Sequence, residues 1–185
     1  MSKKIVILKG SPRERGNSSV LADQVQKGAE AEGAEVSSFR LSTMGIHPCC
    51  ACDACRLLEE CAIADGMQQI YPKIVEADAI VLASPVYWFT YSAQLKTCID
   101  RWYALLNQCP DSFHGKKFGI VLTFGDSDIY TSGGINAIHT IESMCRFLRA
   151  EIAGLVYGTA MNVGDAEKNP ELMEAAEKLG RLLAQ

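Results

Sequence analysis

Short apolar runs alternate along this chain with longer stretches whose apolar residues recur at helical spacing, and that alternation is what most constrains the fold. Residues 5–8, 79–83, 118–124 and 152–157 are near-continuous apolar runs, too short for helices. Residues 36–41 form a weaker run, with Ser37 and Ser38 in it, as an edge strand would have. Between the runs, Leu21, Val25, Gly28 and Ala29 line one helical face. So do Leu95, Cys98, Ile99, Trp102, Leu105 and Leu106, read as one helix, and Ile135, Ile138, Ile141, Cys145 and Leu148. Asn169-Pro170-Glu171 supplies an N-cap, a proline at the first helical position and an early acid ahead of Leu172, Ala176, Leu179 and Leu183. Residues 67–76 also read as a helix, with Asp65 and Gln68 as a capping box, and Pro72 predicts a kink or a broken first turn. Strands buried on both faces and separated by helices form a parallel sheet with right-handed crossovers. The expectation is one α/β domain over residues 1–185, a doubly wound five-stranded parallel sheet in the order 2-1-3-4-5. In such a sheet a ligand binds beyond the strand C-termini, at the switch point between strands 1 and 3.

Composition narrows the classes of function. With 48% hydrophobic and 22% charged residues, the chain has the make-up of a globular protein rather than a disordered one. A net charge of −4 argues against non-specific nucleic-acid binding. The longest uncharged stretch, residues 79–95, is broken by Ser84, Pro85, Thr90, Ser92 and Gln94, so no membrane span is expected. The apolar run after the basic start covers only residues 5–8, which is short for a secretory signal, and a cytoplasmic protein is expected.

The loop after the first strand is Gly10-Ser11-Pro12-Arg13-Glu14-Arg15-Gly16-Asn17-Ser18-Ser19. It opens a helix, so free N–H groups and the positive end of a dipole face it, and Arg13 adds a cation. A bound phosphate is what this arrangement favours; an N-capped turn with surface arginines is the plainer reading. The loop is neither a Walker A sequence nor G-x-G-x-x-G, which argues against a nucleoside triphosphate or a resident dinucleotide. After the third strand comes Ser84-Pro85-Val86-Tyr87-Trp88-Phe89-Thr90-Tyr91-Ser92, whose aromatics suit a wall for a flat ring or a subunit interface. The loop from Gly125 and Asp126 to Gly133 is polar and opens another helix, and Asp126 and Asp128 have no assigned role beyond solvating it.

Of the 8 cysteines, Cys49, Cys50, Cys52, Cys55 and Cys61 crowd into one segment. In a cytosolic chain with a full core this points to a metal, a cluster or redox chemistry. Cys98 and Cys145 fall on apolar helix faces and are read as core. His47, His114 and His139 lack ligand-like spacing, although His47 lies just before Cys49.

Taken together, Gly10-Ser11-Pro12-Arg13…Gly16-Asn17-Ser18, Ser84-Pro85-Val86-Tyr87-Trp88 and Leu95-Lys96…Asp100-Arg101 resemble the NAD(P)H-dependent FMN reductase family, which includes the iron-sulfur flavoproteins and has the flavodoxin-like fold. The likeness runs in motif from the first strand to the end of the third helix and in element order beyond it. The first loop departs from true flavodoxins, whose phosphate loop is shorter and rich in threonine. The resemblance implies that Ser11, Arg13, Asn17, Ser18 and Ser19 hold the FMN phosphate. It implies that Pro85, Val86, Tyr87, Trp88 and Phe89 line the isoalloxazine, and that the loop with Gly125, Asp126 and Gly133 closes the other side. Cys49-x2-Cys52-x2-Cys55-x5-Cys61 resembles the cluster motif of the iron-sulfur flavoproteins and would ligate a [4Fe–4S] centre, leaving Cys50 spare. Zinc, free redox-active thiols and a local disulfide remain open for these residues.

The function expected on this basis is transfer of electrons from NAD(P)H, a transient co-substrate, through FMN to a small-molecule or protein acceptor, with no side chain required as acid or base. An iron-sulfur flavoprotein carrier fed by ferredoxin is one alternative, and a flavin-free regulatory or interaction module on the same fold is another. The surplus of Tyr87, Trp88, Phe89, Tyr91, Trp102 and Tyr103 predicts a homodimer or homotetramer.

Overall fold

The structure, a computed structural model, describes residues 2–58 and 60–185. The strands are β1 (Lys4–Lys9), β2 (Glu35–Arg40), β3 (Ala79–Tyr87), β4 (Thr90–Tyr91), β5 (Lys117–Phe124) and β6 (Glu151–Thr159). The helices are α1 (Asn17–Ala31), α2 (Met67–Glu76), α3 (Ala93–Asp100), α4 (Tyr103–Gln108), α5 (Gly134–Leu148) and α6 (Pro170–Leu183). The sheet runs β2-β1-β3-β5-β6, with parallel pairing throughout. That is the expected 2-1-3-4-5 order once the two-residue β4, which pairs antiparallel with the end of β3, is set aside. No helix among the described residues is long and apolar enough to cross a membrane.

Strand parity divides the core. Val6, Leu8, Ile80, Leu82, Ile120 and Leu122 face α2 to α5, where Ile70, Ile74, Leu95, Ile141 and Cys145 pack on them. Ile5, Ile7, Val81 and Val121 face α1 and α6, against Leu21, Val25, Ala176 and Leu179. Both faces of the central strands are thus covered, which is why they read as continuous apolar runs. On the second face α1 and α6 approach until Gly28 lies against the Glu177 carbonyl and Gly180 against the Val25 carbonyl. No side chain fits at either contact.

Three local expectations are corrected. The stripe from Leu95 to Leu106 is two helices, because the chain turns at Arg101 and Trp102 and sends both side chains inward. Pro72 lies inside α2, which continues past it to Glu76, and the first turn is irregular, with Gln68 N and Gln69 N bonding three residues back to Asp65 O and Gly66 O. Asp65 forms no box with Gln68. Its Oδ1 instead accepts from Met67 N at 2.9 Å, and Gln68 Nε2 reaches the Cys61 and Ile63 carbonyls. Of the surplus aromatics, Tyr91 and Trp102 are core residues; Trp102 stacks on Phe113 at 4.8 Å between centroids. The Asn169 cap on α6 is as expected, its Oδ1 accepting from Leu172 N at 3.0 Å.

Candidate functional site

The loops after β1, β3, β5 and β6 meet beyond the C-terminal edge of the sheet and enclose a cleft of about 180 Å³. Ser11, Arg13, Gly16, Asn17, Ser18, Pro85, Val86, Tyr87 and Gly125 line it, as do Thr123, Phe124, Ala160 and Met161. The loops are stitched together beneath it. Gly10 N donates to Ala83 O at 2.7 Å, Ser92 Oγ donates to Gly10 O at 2.7 Å, and Ser92 N donates to Ser84 Oγ at 2.9 Å.

The first loop presents the start of α1. No acidic residue occupies the first turn of that helix, so the positive end of its dipole is uncompensated. The hydroxyls of Ser18 and Ser19 are buried there without a hydrogen-bond partner. Buried hydroxyls are costly unless paired, so this pair marks a place built for an acceptor of several hydrogen bonds. Gly16 supplies the close approach: a Cβ on it would overlap Ser11 Oγ. Arg13 is exposed at the mouth and, among the described residues, makes no ion pair. Asn17 lines the cleft and also braces it. Its Nδ2 donates to Ala160 O and Asn162 O and its Oδ1 accepts from Ala166 N, so its side chain ties the first loop to the segment before α6.

The aromatic segment is a hairpin rather than an open loop. β3 continues through Pro85 to Tyr87 and turns back at Trp88 and Phe89 into β4. Both turn residues have positive φ, 47° and 66°, the mirror-image turn that normally selects Asn-Gly. Trp88 is 92% exposed and Phe89 is 55% exposed. Phe89 packs on Gly133, where a Cβ would collide with its ring, and its carbonyl accepts from Asn136 Nδ2 at 3.3 Å. Trp88, Phe89, Ser19, Asp126 and Gly133 therefore lie around the cleft rather than on its lining. In the third loop Asp128 has a structural task. Its Oδ1 accepts from Tyr130 N and Thr131 N, and these bonds hold its carboxyl below the usual range.

Thr123, Ala160 and Met161 escaped the sequence reading. Thr123 is the buried polar residue near the end of an apolar strand, a weak signal; Ala160 and Met161 carry none.

A second, smaller cavity of about 20 Å³ is lined by Cys49, Cys50, Cys52, Cys55 and Cys61, with Arg101 and Tyr103 behind them. Cys49, Cys50 and Cys52 are exposed and Cys55 and Cys61 half-buried, all as free thiols. Among the described residues no three ligating side chains converge on a point that one metal ion would fill. Cysteines that line one cavity could supply the four thiolates that a [4Fe–4S] cluster takes. The Ala54 backbone N–H and the Cys50 thiol hold the Cys52 thiol below its usual pKa, whereas burial raises Cys55. Cys98 and Cys145, in the core, are pushed up by burial to about 12.

Beneath this ring Arg101 is fully buried, a position the sequence does not reveal. Its guanidinium meets Asp65 Oδ2 at 2.6 Å. Burial alone would raise the Asp65 carboxyl, but Arg101 and the backbone N–H groups of His47 and Met67 outweigh it and hold the carboxyl below the usual range.

Comparison with known proteins agrees with this geometry. The family model described as NADPH-dependent FMN reductase matches residues 3–159. The chain is similar to an iron-sulfur flavoprotein of Archaeoglobus fulgidus, 31% identical over 183 residues, covering 98% of this chain and 79% of that protein. Among solved structures, an NAD(P)H:quinone oxidoreductase from Methanothermobacter marburgensis superposes with a TM-score of 0.75 at 15% identity, covering 100% of this chain and 98% of that one. An archaeal flavodoxin superposes with a TM-score of 0.61 at 14% identity, covering 98% and 96%. The fold is flavodoxin-like, and the chain belongs to the NADPH-dependent FMN reductase family, oxidoreductases that use FMN and a reduced nicotinamide.

Proposed function

We propose that this member of the NADPH-dependent FMN reductase family is one flavodoxin-like domain over residues 1–185 that holds FMN in the cleft at the sheet edge and relays electrons from NAD(P)H to a small-molecule or protein acceptor. The observation that carries the reading is the pair of unpartnered hydroxyls, Ser18 and Ser19, buried at the uncompensated start of α1. A phosphate monoester supplies the acceptors they lack.

In this reading Ser11, Ser18 and the first N–H groups of α1 hold the phosphate from the cleft lining, the buried Ser19 hydroxyl reaches it from behind, and Arg13 closes over it from the mouth. Asn17 keeps the loop in shape through its three bonds to the segment 160–166. Pro85, Val86 and Tyr87 wall one side of the ring, with Trp88 and Phe89 beside them. Gly125 lines the other side with Asp126 next to it in the chain, and Gly133 seats Phe89. Bound FMN supplies hydride acceptance and onward electron transfer, chemistry that belongs to the cofactor. The chain's part is to bind, orient and exclude water, so no residue is assigned as acid or base. Donor and acceptor use the same open face in turn, which gives ping-pong kinetics. The exposed Trp88, Phe89 and Tyr103 belong to the contact of a homodimer or homotetramer.

Cys49, Cys52, Cys55 and Cys61 would ligate a [4Fe–4S] cluster, with Cys50 spare. The cysteine-lined cavity favours a second reading alongside the first, a carrier that takes electrons from ferredoxin. The visible spectrum of anaerobically purified protein, before and after NADH or NADPH, tests both. Flavin absorbance that bleaches with a nicotinamide supports the reductase. A flavin bleached only by reduced ferredoxin supports the carrier, and a colourless protein overturns both.

A further inference from the structure

Arg101 reaches across both ends of the cysteine loop. Its Nη1 donates to His47 O at 2.9 Å and to Asp65 Oδ2 at 2.6 Å. Its Nη2 donates to Ile63 O at 3.1 Å and to Cys61 Sγ at 3.3 Å. His47 precedes Cys49 and Ile63 follows Cys61, so a single planar group ties down the entry of the loop, its exit and one of its thiols.

Beyond Arg101, the loop is held by His47 N donating to Asp65 Oδ2, by Gln68 Nε2 on the Cys61 and Ile63 carbonyls and by Asn107 Nδ2 on Cys55 Sγ. Among the described residues its own backbone bonds are those around one short turn, Arg56 N to Asp53 O and Leu57 N and Leu58 N to Ala54 O. Ala51 and Asp53 lie in the left-handed region, at φ 53° and 55°, a conformation disfavoured for both and kept only where the surroundings enforce it. Arg101, in contrast, is rigidly mounted. The break between α3 and α4 turns it inward, its carbonyl accepts from Tyr71 Oη at 3.2 Å, and the next residue, Trp102, is stacked in the core.

We propose that Arg101 is the positioning residue of the cysteine centre, clamping residues 47–63 so that the thiols face one cavity and donating a hydrogen bond to the sulfur of Cys61. This deepens the cluster reading above and rests on it for its electronic part; the clamp itself does not need the metal. Lysine cannot replace it, because an ammonium is a point donor and cannot span four acceptors on two sides.

The test uses the full chain, with Arg101→Lys and the double variant Arg101→Met/Asp65→Asn, which leaves no lone buried charge. Bound FMN, held by other loops, reports that each variant is folded. The metal-free protein is read by amide hydrogen exchange. Faster exchange across residues 49–61 in the variants, with β1 and α1 unchanged, supports the clamp, and exchange equal to the parent overturns it. In anaerobically loaded protein the variants should lose iron to a chelator about 10–100-fold more readily, the range for removing a group that orients a metal ligand. The cluster's reduction potential should also become more negative, because hydrogen bonds to cluster sulfurs raise it. Parent-like iron retention and potential in both variants overturn the inference. A parent chain that takes up no iron and sulfide defeats the cluster reading instead, and hydrogen exchange then decides the clamp alone.

Discussion

Asp65 and Arg101 form a buried ion pair, Oδ2 to Nη1 at 2.6 Å, with each side chain almost completely removed from solvent. The pair joins the start of α2 to the turn between α3 and α4, because the other carboxylate oxygen accepts from Met67 N. The pair sits beside the cysteine loop, where Arg101 also bonds His47 O, Ile63 O and Cys61 Sγ.

Its pH dependence has a definite sign. The Asp65 carboxyl titrates lower in the folded chain than in the unfolded one, so its contribution is complete above the unfolded value of about 3.9 and is lost as pH falls through the folded value. Asp65→Asn should cost about 3–5 kcal/mol at pH 7, the range for leaving one partner of a buried pair uncompensated. The deficit should shrink as the pH drops below about 4, the ordinary carboxyl range. Urea denaturation at a series of pH values measures both, and a deficit independent of pH would contradict the assignment.

At the cleft, Arg13→Ala should weaken FMN binding by about 1–3 kcal/mol, the range for losing a charge-assisted hydrogen bond, with thermal stability of the apoprotein unchanged. Arg13 is exposed, so it contributes to the ligand and not to the core. Fluorescence titration of apoprotein with FMN reads the difference, and an unaltered Kd would remove Arg13 from the site.

The close contact of α1 with α6 gives a prediction about the scaffold alone. Gly28→Ala and Gly180→Ala each place a methyl group onto a backbone carbonyl that cannot move aside without parting the helices. Each should lower stability by about 1–3 kcal/mol, as overpacking does, despite alanine's higher helix propensity. Thermal denaturation of the two variants checks this; stabilisation of either would show that the helices can separate freely.

The sheet was legible because its central strands are buried on both sides, and residues such as Ile5 to Leu8 in β1 leave no polar position to confuse the pattern. The loop after β1 was legible as a wall of the cleft because its short polar residues, Ser11, Asn17 and Ser18 among them, stand between a strand end and a helix N-terminus. Arg101 was not. A single arginine in an apolar stripe reads as surface, and only the break between α3 and α4 reveals that it turns inward. Periodicity could not show that break, since Leu95, Cys98, Trp102 and Leu105 are buried on both sides of it. Nor could it sort the aromatics: Tyr91 and Trp102 went to the core, while Trp88 and Phe89 stayed out.

Those two exposed rings stand where the backbone disfavours them, which supplies the last prediction. Trp88 and Phe89 both carry positive φ in a two-residue hairpin turn, a conformation costing bulky residues roughly 1–2 kcal/mol each. Asn and Gly adopt it readily. Replacing Trp88 with Asn and Phe89 with Gly should therefore stabilise the hairpin locally, offset in part by the lost packing of Phe89 on Gly133. A loop selected only for folding would have no reason to keep the aromatics. Under the proposed function they serve the flavin edge and the subunit contact, so the Trp88→Asn/Phe89→Gly variant should be at least as stable as the parent toward urea. It should also sediment at a lower mass and turn over NAD(P)H more slowly. If it keeps the parent's mass and rate, the exposed aromatics have no part in either, and the strained turn has no functional explanation.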